Sequence, residues 1–213
     1  MIGVIDFGAG NLRSVHAALS RLGATWRTVE GPEDLEGVAR VLLPGVGRFG
    51  TAAGRLREAG LVEPLRRYIR SGGPFLGICL GMQLLFEGSD EDPAAEGLGV
   101  LRGRARRLEA DRVPHIGWAL VEPRATGGDS IFRGLPGAGF FAYFAHSYAV
   151  PPSAAEPEAV TSCPPSFASA VRAGATWGVQ FHPEKSGADG QRVLANFVAG
   201  HALPPGMARA RDG

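Results

Sequence analysis

The chain has 213 residues, 45% of them apolar, and its 22 Lys and Arg against 21 Asp and Glu leave a formal net charge of +1. That length suits one α/β domain able to bury a sizeable core, and the balanced charge argues against nucleic acid or an anionic membrane as the main partner. No apolar run approaches membrane-spanning length, and the strand-like opening Met1-Ile2-Gly3-Val4-Ile5-Asp6 carries no basic segment, so a cytoplasmic enzyme is expected.

In chain order, Ile2 to Asp6 is an apolar run ending in the turn Phe7-Gly8-Ala9-Gly10-Asn11, and Leu12 to Leu22 has apolar residues at helical spacing. Strand, glycine-rich loop and helix open a βαβ unit, but the third glycine of a nucleotide fingerprint is missing. Thr25 to Val29 reads as a second strand, Pro32 to Gly37 as a short acidic helix or loop, and Val41-Leu42-Leu43 as a third strand. Pro44-Gly45-Val46-Gly47-Arg48-Phe49-Gly50 then fits G-x-G-x-x-G, yet it comes third in order, and Arg70 stands near where a ribose-binding acid would be expected. A glycine-rich loop at the carboxyl end of one parallel strand lies beside the end of the next, where its free N–H groups could face an oxyanion.

Helical segments follow at Thr51 to Glu58 and Leu61 to Ser71, closed by Gly72-Gly73-Pro74. Pro74 to Phe86 then reads as strand, sharp turn and helix, with Cys79 between Gly77 and Gly81. A nucleophile on such an elbow needs residues without Cβ two positions to either side, because strand and helix approach closely there. The start of a helix would offer the sulfur free N–H groups and the positive end of the helix dipole. An oxyanion hole is expected from the N–H of Val46 or Gly47 together with that of Leu80. The acidic Glu87 to Pro93 segment reads as a solvated loop able to place a carboxylate over the pocket.

From Gly99 to Val150 and from Arg172 to Phe181, short alternating stretches between Gly and Pro read as antiparallel strands. A helix from Gly190 to Val198 closes the domain, expected over residues 1–201, and residues 202–213 read as a loose tail. The cluster Arg102, Arg104, Arg106 and Arg107 reads as a solvated edge, and Cys163, in Ser162-Cys163-Pro164-Pro165, as incidental. Almost every basic residue is Arg; the single lysine is Lys185.

A nucleophile needs a base. His182 and Glu184, two residues apart at a strand end with Pro183 stiffening the turn, supply an imidazole and a carboxylate to orient it. A zinc site from Cys79, His182 and Glu184 is the competing chemistry, but the order of the zinc deaminase signature is reversed and no second Cys is near. No metal and no cofactor are therefore expected.

Gly77-Ile78-Cys79-Leu80-Gly81-Met82-Gln83 with Gln180-Phe181-His182-Pro183-Glu184 resembles the class I, triad-type glutamine amidotransferases. Asp6 to Asn11, Leu43 to Gly47, Pro114-His115-Ile116-Gly117-Trp118, Tyr143-Phe144, His146-Ser147-Tyr148 and His182 to Ser186 together resemble, within that class, the glutaminase subunits of imidazole glycerol phosphate synthase from histidine biosynthesis. The resemblance implies an α/β fold with a flavodoxin-like, mostly parallel sheet, helices on both faces and additional antiparallel strands in the C-terminal half. It further implies that Cys79 attacks the glutamine amide, His182 protonates the departing ammonia, Glu184 orients His182, and water hydrolyses the thioester. Gln83 and Glu91 match substrate-holding positions, and the backbone at Ser147 and Tyr148 would meet the α-carboxylate. The implied partner is a cyclase subunit resembling a (βα)₈ barrel, and Lys185, Asn11 and Tyr143 are candidates for contact with it. Ala119 and Ala149 depart from the family pattern, which puts details of the partner-facing surface in question but not the triad. Two rivals stand beside this reading: a glutaminase of another amidotransferase, against which Gly81-Met82-Gln83 and Lys185-Ser186 argue, and a flavodoxin-like binding module whose triad residues are bystanders.

Overall fold

The computed structural model describes residues 1–8, 12–154 and 156–200. The N-terminal half alternates strands and helices: β1 (Ile2–Ile5), α1 (Leu12–Arg21), β2 (Trp26–Val29), β3 (Arg40–Gly45), α2 (Phe49–Glu58), α3 (Val62–Arg70), β4 (Phe75–Cys79) and α4 (Leu80–Gln83). Strands then dominate, as β5 (Phe86–Ser89), β6 (Leu101–Arg107), β7 (His115–Pro123), β8 (Phe140–His146), β9 (Tyr148–Ala149), β10 (Pro157–Thr161), β11 (Phe167–Ala173) and β12 (Thr176–Val179), before the closing helix α5 (Gly187–Ala199).

Among the described residues nine strands form one sheet in the order β2-β1-β3-β4-β12-β11-β10-β7-β8, and β5, β6 and β9 form a second. Pairing is parallel from β2 to β12 and antiparallel from β12 to β8. The central parallel strands β1, β3, β4 and β12 are buried on both faces, as helical crossovers require, and the edge strand β2 is only partly covered. These strands alternate between two apolar clusters. Leu42, Leu76 and Ile78 meet α1 and α5 through Val15, Leu19, Val193 and Phe197. Val41, Leu43 and Phe75 meet α2 and α3 through Phe49, Leu56 and Leu65. Helices therefore cover both faces, and the expected fold class holds.

Local expectations are corrected at the helix after the elbow, at the acidic stretch and at Arg104. The helix after the elbow is a single turn, because Leu84 and Leu85 turn their carbonyls to Leu98, Val100 and Leu101 N–H, and the chain leaves as β5 beside β6. The acidic stretch is consequently not wholly a solvated loop: Gly88 and Ser89 are buried in β5. Ala119 and Ala149 do not face outward: Ala149 lies in the core and Ala119 packs against it. In a strand, alternate side chains take opposite faces, and here the outward face belongs to Ile116, Trp118 and Phe141. Of the basic cluster, Arg102, Arg106 and Arg107 are exposed as expected, whereas Arg104 is half-buried and donates to Ser89 O and Pro93 O. No helix among the described residues is long and apolar enough to cross a membrane. The expected tail at 202–213 and Asn11 lie outside the described residues.

Candidate active site

Among the glycines of the described residues, the shortest approach to backbone is at the end of β4, where Gly81 stands against Leu43 O. Cys79 has φ 54° and ψ −108°, the only non-glycine with positive φ among the described residues. The two flanking glycines are required by space. A Cβ on Gly77 would lie 2.5 Å from Gly81 O, and one on Gly81 would run into Leu43 O of β3. Gly45, paired with Cys79 across β3 and β4, is equally crowded: a Cβ there would lie 2.9 Å from Gly81 N. The loop after β3 is thereby held against the elbow. Since α4 is one turn long, the sulfur's setting comes from this crossing and from neighbouring side chains more than from a helix dipole, which needs several aligned peptides.

β12 pairs in parallel with β4, Val179 beside Ile78, so the residues that follow it arrive at the elbow. His182 lies near enough to Cys79 to be influenced by it, and Glu184 Oε1 lies 2.8 Å from His182 Nδ1; the side chains of His182 and Glu184 are 3% and 1% exposed. Burial alone would depress the imidazole, but the hydrogen bonds and charges of Cys79 and Glu184 outweigh it and push His182 up to about 10. The ring is therefore charged at neutral pH. Its backbone is pinned from both sides: His182 N donates to Tyr143 O at 2.9 Å, and Ser186 Oγ donates to His182 O at 2.7 Å while accepting from Tyr143 N at 2.9 Å.

A cavity of 230 Å³ is lined by Cys79 together with Val46, Gly47, Leu80, Gln83, Glu91, Ser147 and Tyr148. Pro114, Ile116, Ala145 and His146 complete it. Every oxyanion and substrate residue expected from the sequence thus borders one space, with His182 and Glu184 packed behind Cys79. Two of these residues are partly committed elsewhere. Gln83 Nε2 donates to Tyr148 O at 2.8 Å and to Gln180 Oε1 at 3.1 Å, which leaves its own Oε1 as the group for a ligand. Glu91 Oε2 accepts from Phe49 N at 2.8 Å, while Asp92 accepts from Gly50 N at 3.0 Å and pairs with Arg48 at 2.9 Å. These carboxylates cap α2, whose own N-cap residue, Arg48, makes no side-chain hydrogen bond to the helix backbone.

Lys185 is exposed, and its Nζ stands 5.7 Å over the Tyr143 ring, so these two expected interface residues share one patch. Cys163 is half-buried, and burial pushes its thiol up.

Three residues had no role in the sequence reading. Gln180 is fully buried, with Nε2 3.6 Å from Cys79 Sγ. Its signal in the sequence is a lone amide between Val179 and Phe181 in a core strand. His146 is buried with Nδ1 3.0 Å from Tyr148 O. Burial first, and then neighbouring His115, push it down to about 3, so the ring is neutral and Nδ1 carries the proton donated to that carbonyl. Ser186, the third, staples β8 to the turn carrying His182.

The sequence pattern of the glutamine amidotransferase class-I family matches residues 3–200. The chain belongs to the class-I glutamine amidotransferase family. It is 44% identical over 199 residues to the imidazole glycerol phosphate synthase subunit HisH of Desulfitobacterium hafniense, covering 92% of this chain and 93% of that one. It is also 40% identical over 219 residues to the chloroplastic imidazole glycerol phosphate synthase hisHF of Arabidopsis thaliana, covering 100% of this chain but 36% of that protein. Among solved structures, a glutamine amidotransferase crystal structure superposes with a TM-score of 0.69 at 23% identity, over 93% of this chain and 97% of that one, a likeness of fold.

Proposed function

We propose that this chain hydrolyses L-glutamine to glutamate and ammonia through a Cys79-His182-Glu184 triad and passes the ammonia to a cyclase subunit that makes imidazole glycerol phosphate in histidine biosynthesis. The observation that carries the reading is a strained, buried cysteine lining a cavity, with nearby His182 hydrogen-bonded to the buried carboxylate of Glu184. The Cys79 thiolate attacks the side-chain amide carbon, forming the C–S bond, while the carbonyl electrons move to oxygen. Val46 or Gly47 N–H and Leu80 N–H hold that oxyanion. Collapse breaks the C–N bond, and protonated His182 gives its proton to the departing ammonia. Neutral His182 then takes a proton from water, which attacks the thioester and releases glutamate and the thiolate. Glu184 fixes the ring through Nδ1 and supports its charge. Glu91 and Gln83 Oε1 hold the substrate's amino-acid end, and the backbone at Ser147 and Tyr148 meets its α-carboxylate.

A partner face supports the second half of the reading. Ile116, Trp118 and Phe141 are 62%, 56% and 60% exposed on adjacent strands β7 and β8, and Ile116 also borders the cavity. Trp118 packs edge-on to Tyr143, which lies under Lys185. An apolar face with a cation at its rim is suited to burial against another subunit. The Desulfitobacterium relative is named as a subunit of imidazole glycerol phosphate synthase, which supports a cyclase partner for this chain, and that cyclase is proposed to have (βα)₈ form. Asn11 is a further candidate for the contact on the sequence resemblance alone.

Gly47, at φ 96° with open space where a Cβ would stand, leaves the oxyanion peptide free to rotate beyond the packed Gly45, so contact of Lys185 with a partner carboxylate can favour the peptide orientation that builds the hole. Two variants test the assignment. Cys79→Ala assembled with the cyclase should lose glutamine-dependent synthesis and keep synthesis from added ammonium salt; persistence of the glutamine-dependent rate overturns the triad. Lys185→Ala should lose the stimulation of glutaminase by the liganded cyclase while the rate of the chain alone hardly changes; full stimulation removes Lys185 from the switch.

A further inference from the structure

We propose that Gln180 is a further catalytic residue, whose side-chain amide donates a hydrogen bond to the Cys79 sulfur and so favours the thiolate. The proposal rests on the glutaminase reading above, and it follows from a chain of hydrogen bonds whose direction is fixed at one end. Tyr148 O is a backbone carbonyl and can only accept, so the Gln83 atom 2.8 Å from it is the amide nitrogen. The second hydrogen of that nitrogen serves the contact with Gln180 at 3.1 Å, and the Gln180 atom there must be its oxygen. The other end of the Gln180 amide, an NH₂ group, is then what faces Cys79 Sγ at 3.6 Å. Turning the Gln180 amide over would oppose two NH₂ groups at one contact and set a carbonyl oxygen against sulfur at the other.

Position and burial agree with this. Val179 pairs with Ile78, so the next residue of each strand, Gln180 and Cys79, reach the elbow together. Gln180 N is tied to Ser169 O at 2.9 Å, and the side chain is fully buried in a stretch whose neighbours Val179 and Phe181 are core. An apolar side chain would suit the packing, and a buried amide is costly unless each end is used.

The chemistry differs from that of His182. An amide neither gains nor loses a proton at working pH, so it holds the sulfur's negative charge without competing for the proton that His182 moves. The charge is present before attack, absent in the thioester, and present again when the thiolate is expelled. Gln180 therefore raises the share of enzyme with a ready nucleophile and eases sulfur's departure. The effect is largest on the acid side, where protons compete for the sulfur. The other titratable groups around Cys79 are His182 with Glu184 beyond β12, His146 at the end of β8, Tyr148 at the start of β9, and Glu91 after β5. A substitution at Gln180 changes none of them.

The experiment is iodoacetamide alkylation of Cys79 as a function of pH, in wild type and in Gln180→Met, which keeps length and volume but has no donor. The proposal expects the midpoint of the rate profile to move to higher pH, with alkylation about tenfold slower on the acid limb and an unchanged alkaline plateau, since hydrogen bonds to charged groups are worth about this factor. An unmoved midpoint, with only a lower plateau or a lower melting temperature, means that Gln180 merely fills the core and overturns the proposal. Should Gln180→Met not fold, the wild-type side-chain amide signals of Gln180 provide a second reading by NMR. One amide proton is expected to titrate with the ultraviolet thiolate absorbance, and no movement overturns the proposal. Glutamine takes no part in either measurement. A wild type inactive on glutamine therefore overturns the functional reading alone, whereas an active enzyme with an unmoved midpoint overturns only the role of Gln180.

Discussion

At Cys79 the side chain that does the chemistry sits on a backbone that costs energy. A φ of 54° with ψ of −108° is sparsely populated for any residue with a Cβ, at a cost of about 1–3 kcal/mol. Glycine would relieve that strain and add about 0.4–1 kcal/mol of unfolded-state entropy. Cys79→Gly should therefore be more stable than Cys79→Ala by about 1 kcal/mol in urea unfolding, with both inactive; the reverse order would show that the elbow is unstrained. The base behaves differently. His182→Ala loses the thiolate's partner and the proton donor together, so kcat should fall by about 10²–10⁴ or more, whereas Glu184→Gln keeps a hydrogen-bonding group beside Nδ1 and should lose less. Equal losses in steady-state assays would make orientation as important as the imidazole itself.

At the level of elements, the acidic segment after β5 ties the substrate side of the cavity to the oxyanion side. Glu91 and Asp92 cap α2 at Phe49 and Gly50, two or three residues past Gly47. Asp92→Ala should cost about 1 kcal/mol of stability by denaturant midpoint, and Asp92→Asn clearly less because its carbonyl oxygen still accepts; equal costs would assign the effect to the ion pair with Arg48 instead. This arrangement also shows where sequence reading stops. The elbow was legible because close backbone approach leaves a local mark, glycines two positions on either side of Cys79. The length of α4 was not, because Leu84, Leu85 and Phe86 suit helix or strand equally, and pairing with Leu98, Val100 and Leu101 decides it. Nor does an acidic run state which distant N–H groups it will cap. Gln180 was quoted as part of a motif without a role, since only the insertion of β12 beside β4 brings its amide to the sulfur.

Over the whole molecule, the sheet order does the assembling, setting the last strand beside the nucleophile's strand while β8 supplies the wall of the cavity. Two buried histidines then give the fold opposite responses to pH. His182 is raised above 6.5 to about 10 in the folded state, so its contribution is complete below pH 6.5 and is lost as pH rises through about 10. His146 is depressed from 6.5 to about 3, so the unfolded chain takes up that proton first and stability falls as pH drops below 6.5. The melting temperature of the isolated chain should accordingly peak near neutrality and decline on both sides, and His146→Phe should flatten the acid limb. An acid limb as steep in that variant as in wild type would place the sensitivity elsewhere, for example at His115, which burial also lowers.

The central claim is that glutamine is cleaved through a thioester on Cys79. Its most direct test is intact-protein mass spectrometry after acid quenching of the cyclase-bound enzyme during turnover of glutamine. The account predicts a glutamyl adduct on Cys79 that forms without delay, disappears when glutamine is exhausted, and is absent from Cys79→Ala. Steady release of glutamate by Cys79→Ala, or an adduct located on another residue, would contradict it.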